Sequence, residues 1–296
     1  MKVLVTGITG LLGRALSAEL STTSFDVVGT GFRRATGNVI AIDLTDREAV
    51  ERLLREQRPD VIIHSAAERR PDVSENDPDA TLALNVEATR SIVEIATEIG
   101  AQVIYLSTDY VFDGSSPPYR PDATPNPLNF YAKSKLEGEH VVRTVADNCV
   151  LRVPVLYGQI ETLEESPVTI IAKGLLPGGE IKLDHWQTRY PTSTADVAAV
   201  LRQMLESRVE SASIAGTVHW SGDEAMTKYD MGRTMCQIWG LPHDNLIPQP
   251  DPPGGAPRPK DTQLDCGKLE ALGIGQRTRF RDALAAAIAP FAPAGG

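Results

Sequence analysis

Two residues four apart could move a proton. Tyr131 and Lys135 stand in Tyr131-Ala132-Lys133-Ser134-Lys135, and on a helix positions i and i+4 share one face. A phenol with a pKa near 10 is a poor acid–base group at neutral pH. A nearby ammonium favours the phenolate and lowers that pKa toward the working range. A hydroxyl able to hold the same oxygen is expected where Tyr105-Leu106-Ser107-Thr108-Asp109-Tyr110-Val111-Phe112 ends a strand. Thr108 is the choice, with Ser107 the alternate. Asp109 reads as a cap or as a substrate contact. Thr108, Tyr131 and Lys135 form the candidate catalytic set.

A second pattern could hold phosphate. Thr6-Gly7-Ile8-Thr9-Gly10-Leu11-Leu12-Gly13 follows the first apolar run and opens a helical one. Gly7 and Gly10 permit a tight turn and close approach of backbone amides to a pyrophosphate, and Gly13 lets the helix pack on the strand. Thr9, Leu11 and Leu12 complete this cradle at a helix N-terminus whose free N–H groups attract anions. The next strand ends Gly29-Thr30-Gly31-Phe32-Arg33-Arg34. No carboxylate stands there for the adenosine ribose, and two guanidinium groups suit a phosphate, so NADP(H) is expected rather than NAD. Phe32, Asp43, Leu44, Ser65, Ala66, Ala67, Arg69 and Leu156 are the further candidates along the cofactor, with Asp43-Leu44 bracketing the adenine. Arg69 and Arg70 compete for one such role. Tyr131 and Lys135 also count as cofactor contacts, Lys135 through the nicotinamide ribose.

These residues need a frame. Val3–Val5, Phe25–Thr30, Val39–Ile42, Val61–His64, Val103–Ser107 and Cys149–Val153 read as buried strands. Leu12–Leu20, Arg47–Gln57, Asp79–Ile99 and Ala132–Val145 read as helices between them. Such alternation predicts an α/β fold, a doubly wound parallel Rossmann-type sheet with ligands at the carboxyl ends of its strands. Residues 1–157 are expected to form the NADP-binding domain, with about 190–205 packing back on it. Residues 158–296 are expected to form a smaller lobe for a substrate or partner. There, Ala195–Ser207 and Thr227–Trp239 read as helices and Thr217–Trp220 as a strand. Leu264–Leu272 and Phe280–Ile288 close the chain, and Ala289–Gly296 should fray. Pro248–Asp261 reads as a loop rather than a polyproline partner site. His64, Trp220 and Trp239 read as core residues, while Asp184-His185-Trp186 is balanced between structure and a ligand or partner contact.

Composition narrows the classes. The 296 residues carry 29 Lys and Arg against 39 Asp and Glu, a net charge of −10, which argues against nucleic acid as the main partner. Three dispersed cysteines, Cys149, Cys236 and Cys266, suggest neither a disulfide framework nor a zinc site. No metal site is expected. With no leader and no apolar run of about 18 residues, a cytoplasmic protein with no membrane role is expected.

Taken together, these motifs resemble the extended short-chain dehydrogenase/reductases along essentially the whole chain. Ser107-Thr108-Asp109-Tyr110-Val111-Phe112-Asp113-Gly114 and Pro127–Glu139 are similar to the dTDP-4-dehydrorhamnose reductases. That resemblance implies NADPH, a nucleotide-linked 4-keto-6-deoxy sugar and a Thr/Tyr/Lys triad at Thr108, Tyr131 and Lys135. Gly31–Arg34, Ala66–Val73, Leu163–Ser166, Asp184–Gln187, His219–Gly222 with Met226–Tyr229, and Leu272–Thr278 resemble the regulatory β subunits of methionine adenosyltransferase. That likeness implies an NADP-binding subunit and a catalytic methionine adenosyltransferase subunit as partner. The animal subunits carry an N-terminal extension and a longer C-terminal tail; the expected lack of that tail here argues against the regulatory role, whereas the intact Thr108, Tyr131 and Lys135 triad argues for catalysis. A homodimer is a further expected assembly.

Overall fold

The computed structural model describes residues 1–176, 179–210 and 214–293. Six short apolar runs of the first half become β1 (Lys2–Thr6), β2 (Asp26–Gly31), β3 (Ile40–Ala41), β4 (Val61–His64), β5 (Gln102–Thr108) and β6 (Cys149–Val153). The chain then makes β7 (Leu156–Tyr157), β8 (Ile181–Asp184), β9 (Thr192–Ser193), β10 (Gly216–His219) and β11 (Leu246–Gln249). The main sheet has seven parallel strands in the order β10-β6-β5-β4-β1-β2-β3. Strand order reverses between β1 and β4, the crevice where ligands bind in such sheets.

Alternation along the strands divides the core into two layers, because side chains of a strand point to opposite faces. Val3, Val5, Ile63, Leu106 and Leu151 pack on one face, under α1 (Leu11–Leu20). Leu4, Ile62, Val103, Tyr105 and Val150 pack on the other, under α2 (Arg47–Gln57) and the helices that follow it. Those are α3 (Pro71–Asn76), α4 (Pro78–Leu82), α5 (Ala88–Ile99) and α6 (Phe130–Val142). Helices on both faces satisfy the doubly wound expectation.

The helix expected over Asp79–Ile99 is broken. A π-helical turn, Ala83–Glu87, separates α4 from α5. Its Asn85 is buried and points into the protein, accepting from Glu68 N at 2.9 Å and donating to the Glu68 carbonyl at 3.0 Å. Widening one turn lets this amide face the loop after β4, as single π turns at functional sites often do. The helix expected at Ala132–Val145 begins earlier, because the Asn129 side chain accepts from Ala132 N at 2.9 Å and caps it.

The second half contributes α7 (Ile170–Leu175), α8 (Thr194–Glu210), α9 (Lys228–Trp239), α10 (Gly267–Glu270) and α11 (Phe280–Ile288). Tyr157, Ile171, Leu183, Met235, Trp239, Leu246, Phe280 and Leu284 make a core of their own around the β8–β11 pair. Thr227 and Asp230 cap α9 reciprocally. However, β10 lies in the large sheet, and α8 packs beside α1 with Val197, Leu201 and Leu205 in the same core as Val3 and Val5. Trp220, Cys266, Leu269 and Ile274 join that core too. The large sheet thus draws on residues well beyond 157.

Leu264–Leu272 yields only the four-residue α10, and α3, α7 and the two-residue strands β7 and β9 carry too little periodicity to be read from sequence. His64, Trp220 and Trp239 are buried as expected, and all three cysteines are buried and free. Residues 294–296 of the segment expected to fray lie outside the described residues, while Ala289–Phe291 forms a 3-10 turn. Among the described residues, no helix is long and apolar enough to cross a membrane, and no group of three or more His, Cys, Asp or Glu is placed to hold a metal ion.

Candidate active site

Gly7 and Gly13 have physical reasons for their identity. Gly7 has φ +71°, in the left-handed region, and a Cβ there would sit 3.1 Å from the Ala66 Cα. A Cβ on Gly13 would lie 2.2 Å from the Gly7 carbonyl oxygen, so only glycine lets α1 start this close to β1. Thr6 shapes the opposite wall. Its hydroxyl accepts from Ser65 N at 3.1 Å and Ala66 N at 3.3 Å, and Ser65 Oγ returns a bond to the Thr6 carbonyl at 2.6 Å. The Thr6 hydroxyl also meets His64 Nδ1 at 2.7 Å, and His64 Nε2 meets Thr89 Oγ1 at 3.1 Å. Because Thr89 donates to the Asn85 carbonyl, the network assigns the proton to His64 Nε2. Burial and the Lys135 charge hold the imidazole neutral, with its pKa pushed down to about 3. The ends of β1 and β4, with Gly7, Ser65, Ala66 and Ala67, therefore form one rigid edge.

The arginines divide unequally. Arg33 forms no ion pair among the described residues and lies 5.8 Å from the ring of the exposed Phe32. Arg34 is engaged instead, pairing with Glu165 at 2.9 Å and Glu161 at 3.3 Å. Glu165 also takes Arg14 at 2.6 Å, and Arg14 reaches the Thr9 carbonyl at 3.0 Å. Arg69 donates to the Glu165 backbone carbonyl at 2.7 Å, whereas Arg70 folds onto Glu68 at 2.7 Å. A strap from the second half thus ties together α1, the loop after β2 and the loop after β4. Leu156 lies at its root, its carbonyl accepting from Ser166 Oγ at 2.8 Å. Asp43 spends one carboxylate oxygen on Thr45, and Leu44 is buried among Val50, Leu53 and Leu54. Leu11 and Leu12 enter α1, with Leu12 buried below the cradle.

At the carboxyl end of β5 the structure places Thr108 within reach of the Tyr131 side chain at the start of α6, near enough for Thr108 to lower the phenol's pKa. Thr108 also meets Asp109 Oδ1 at 3.2 Å and accepts from Tyr110 N at 3.2 Å. Ser107, the alternate, is committed elsewhere: it donates to Glu139 Oε1 at 2.5 Å. Burial raises the pKa of Tyr131 above the ordinary phenol value, so the free protein keeps its proton there. Thr108 and Arg69 pull the other way, and Asp109 and Tyr110 add to the rise.

Lys135 departs from the expected pairing. Its ammonium lies 3.9 Å from the Tyr105 ring centroid, in cation–π contact, and makes no hydrogen bond within the described residues. Burial pushes its pKa down to about 7 against the pull of Glu139. The charge that opposes the Tyr131 shift here is that of Arg69, because α6 turns Lys135 toward the sheet.

Asp109 is a buried anchor. It takes hydroxyls from Thr108 and from Thr262, on the loop before α10. Burial pushes its pKa up to about 6 from 3.8. The folded form therefore binds a proton more tightly than the unfolded one, and this contribution to stability is lost as pH rises through that window. Asp109→Asn should flatten the decline: the melting temperature of the wild type relative to the variant falls between pH 4 and pH 6. Thermal melts in matched buffers measure it, and parallel curves would reject a shifted Asp109.

Three positions that sequence reasoning passed over complete the site. Asn85 donates to Ser134 Oγ at 2.9 Å, coupling α6 to the loop after β4. Its only signal was an amide inside an apolar helical run. Tyr110 packs edge-on against Tyr131, with ring centroids 6.3 Å apart. Arg189, from the second half, donates to the Tyr110 hydroxyl at 2.5 Å. In Asp184-His185-Trp186, the Asp184 carboxylate accepts from Trp186 N at 2.8 Å and turns the chain, while His185 meets Thr227 Oγ1 at 2.9 Å.

A glycine cradle, an unpaired arginine after β2 and a paired Thr/Tyr above α6 now stand on one sheet edge. The RmlD substrate binding domain model matches residues 1–292. Methionine adenosyltransferase 2 subunit beta of Bos taurus is 50% identical over 293 residues, covering 98% of this chain and 88% of that protein. Among solved structures, a dTDP-4-dehydrorhamnose reductase from Clostridium acetobutylicum is similar with a TM-score of 0.86 at 27% identity, over 98% of this chain and 99% of that one. The dTDP-4-dehydrorhamnose reductase of Bacillus anthracis, solved in complex with NADP, is similar with a TM-score of 0.84 at 25% identity, over 98% of each. By this match along nearly its whole length, the chain belongs to the RmlD substrate binding domain family, among the extended short-chain dehydrogenase/reductases.

Proposed function

We propose that this protein is an NADPH-dependent reductase of a nucleotide-linked 4-keto-6-deoxy sugar. The observation that carries this reading is the placement of Thr108 at the carboxyl end of β5 and of Tyr131 in the first turn of α6, on the sheet edge that also carries the glycine cradle. The cradle residues fit a dinucleotide: Gly7 and Gly13 leave no room for a side chain between β1, α1 and Ala66. When bound, reduced nicotinamide would supply hydride to C4. Tyr131 then holds the proton that the carbonyl oxygen needs. Thr108 fixes that oxygen's direction, and Lys135 presents an ammonium without a protein acceptor, suited to ribose hydroxyls. General acid catalysis of this kind is worth roughly 10²–10⁴-fold, and positioning supplies the remainder. Purified protein with NADPH and dTDP-4-dehydrorhamnose should show loss of the nicotinamide absorbance. No consumption despite tight NADPH binding would defeat the reading.

A second reading rests on the 50% identity to methionine adenosyltransferase 2 subunit beta. In that case the chain binds NADP and assembles with a catalytic methionine adenosyltransferase subunit. Co-elution of the two proteins in gel filtration, with no turnover of the sugar nucleotide, would move the conclusion there.

The choice of NADPH over NADH rests on Arg33 and Arg34. Arg33 is free to fork onto a 2′-phosphate, while Arg34 must share its guanidinium with Glu161 and Glu165. Arg33→Ala should raise the Kd for NADPH by about 10-fold or more, since a hydrogen bond to a charged group contributes roughly 1.5–3 kcal/mol. Arg34→Ala should cost less, because part of that charge is already spent. Fluorescence titration with both cofactors decides it, and an equal loss of NADH affinity would remove the NADP assignment.

A further inference from the structure

The strap, residues 159–165, runs between β7 and α7 and is attached in two different ways. Toward the second half the attachment is apolar. Leu163 is buried in the core around β8 and β11, with Ile160 packed against it. Thr169 Oγ1 donates to the Leu163 carbonyl at 2.9 Å, and Glu164 pairs with Lys173 on α7. The two ends are fixed at the root. There Ser166 Oγ donates to the Leu156 carbonyl at 2.8 Å, and a Cβ on Gly158 would lie 2.0 Å from Thr194 Oγ1.

Toward the first half the attachment is polar, and it reaches three separate elements. Arg14, on α1, grips the Glu165 carboxylate with both terminal nitrogens, at 3.3 and 2.6 Å, and donates to the Gln159 carbonyl at 3.3 Å. Arg34, after β2, uses Nη1 for both Glu165 at 2.9 Å and Glu161 at 3.3 Å. Arg69, after β4, donates to the Glu165 carbonyl at 2.7 Å. Glu165 thus joins the segments that leave β1, β2 and β4, three neighbours in the sheet. A dinucleotide bound at the carboxyl ends of those strands has the sheet edge on one side and the strap across the other. The Arg34 and Glu161 side chains are half exposed, and ion pairs of this kind open readily.

We propose that residues 159–165 are a cofactor clasp with Glu165 as its catch, so that a dinucleotide enters and leaves only when the contacts to Arg14, Arg34 and Arg69 open. The inference rests on the dinucleotide reading of the cradle and is independent of what the second half binds. Glu165 acts through the arginines, as a positioning residue. Its distinctive effect is on how long the cofactor stays, because the strap spans from the loop after β2 to the loop after β4. The rival explanation is a direct action of the Glu165 charge on the 2′-phosphate. That action would fall equally on a ligand that ends at the adenosine, which the clasp does not enclose.

Stopped-flow fluorescence of NADPH release from the full chain, chased by excess NADP⁺, tests the clasp. Calorimetric binding of 2′-AMP runs beside it, since that ligand carries the phosphate but no second nucleotide. Glu165→Gln keeps the side chain's shape and removes its charge. Glu161→Gln, at an exposed position with longer contacts to Arg34 and Arg14, guards against a variant that misfolds. The expected result is NADPH release faster by about 5-fold or more in Glu165→Gln, and by a smaller factor in Glu161→Gln, with 2′-AMP affinity unchanged in both. Unchanged NADPH release in either variant overturns the clasp. A matching change in 2′-AMP affinity also overturns it, by assigning Glu165 to the phosphate. Failure of the wild type to bind NADPH would instead defeat the dinucleotide reading on which the clasp rests.

Discussion

Tyr131→Phe should remove most of kcat while leaving NADPH affinity nearly unchanged. The loss expected is roughly 10²–10⁴-fold, the usual worth of a positioned general acid. Phenylalanine keeps the ring that packs against Tyr110 and deletes only the phenol oxygen. A purely structural role for the hydroxyl would show as a lower melting temperature with turnover preserved. The state of the proton sharpens the prediction. Burial holds the phenol protonated at neutral pH, which is the form a reduction consumes. Stopped-flow single turnovers with NADPH separate the chemical step from product release. Wild-type rates in the variant would exclude Tyr131 as the donor.

Breaking the ion pair beneath α6 should damage the fold more than any change at the cleft. Arg152 and Glu139 meet bidentately on β6 and α6, at 2.8 and 2.7 Å, with both side chains essentially unexposed. Glu139 also takes the Ser107 hydroxyl, and Arg152 Nη1 touches His219 Nε2 at 3.3 Å. That histidine is neutral, its pKa pushed down to about 3 by burial and by Arg152. Glu139→Ala would therefore leave a guanidinium facing a neutral imidazole and the Pro121 carbonyl. Removing one partner of a buried pair costs about 3–5 kcal/mol, which lowers Tm by on the order of 10 °C for a chain of this size. Replacing both with leucine should recover much of the loss, because the unpaired charge disappears. Thermal melts of single and double variants decide it. A harmless Glu139→Ala would mean that water reaches the pair.

Much of this architecture was legible because parallel strands buried on both faces read as unbroken apolar runs. Val61–His64 and Cys149–Val153 are apolar apart from His64 and Arg152, and the structure keeps their bounds. The cradle was legible for a steric reason, since Gly7 and Gly13 stand where a Cβ has no room. What stayed hidden depends on long-range pairing. Nothing near Arg34 announces that Glu165, 131 residues away, will claim it. Tyr131-x-x-x-Lys135 gave the shared helix face but not the side-chain path, and Lys135 chose the Tyr105 ring. Arg189 carries no local motif, and it stands outside the strands, held by an isolated bridge to Met226 and reaching the Tyr110 hydroxyl.

The late arrival of β10 bears on how the protein can be made. A growing chain that has completed β6 presents that strand as an open edge, with Cys149, Leu151 and Val153 awaiting partners from α8 and β10. Exposed edges invite pairing with other chains, and long-range strand pairing is slow to form. Part of the second core, from α7 and β8, is therefore synthesised while the sheet is unfinished, and the rest, from α9, β11 and α11, follows β10. The helix and the strand that cover the β6 edge both lie downstream of residue 157. The two cores interleave along the chain, with Tyr157–Leu183, Met231–Leu246 and Phe280–Ile288 of the second lying on either side of α8, β10 and the Cys266–Ile274 stretch of the first, so no single excision separates the two halves for biophysical work.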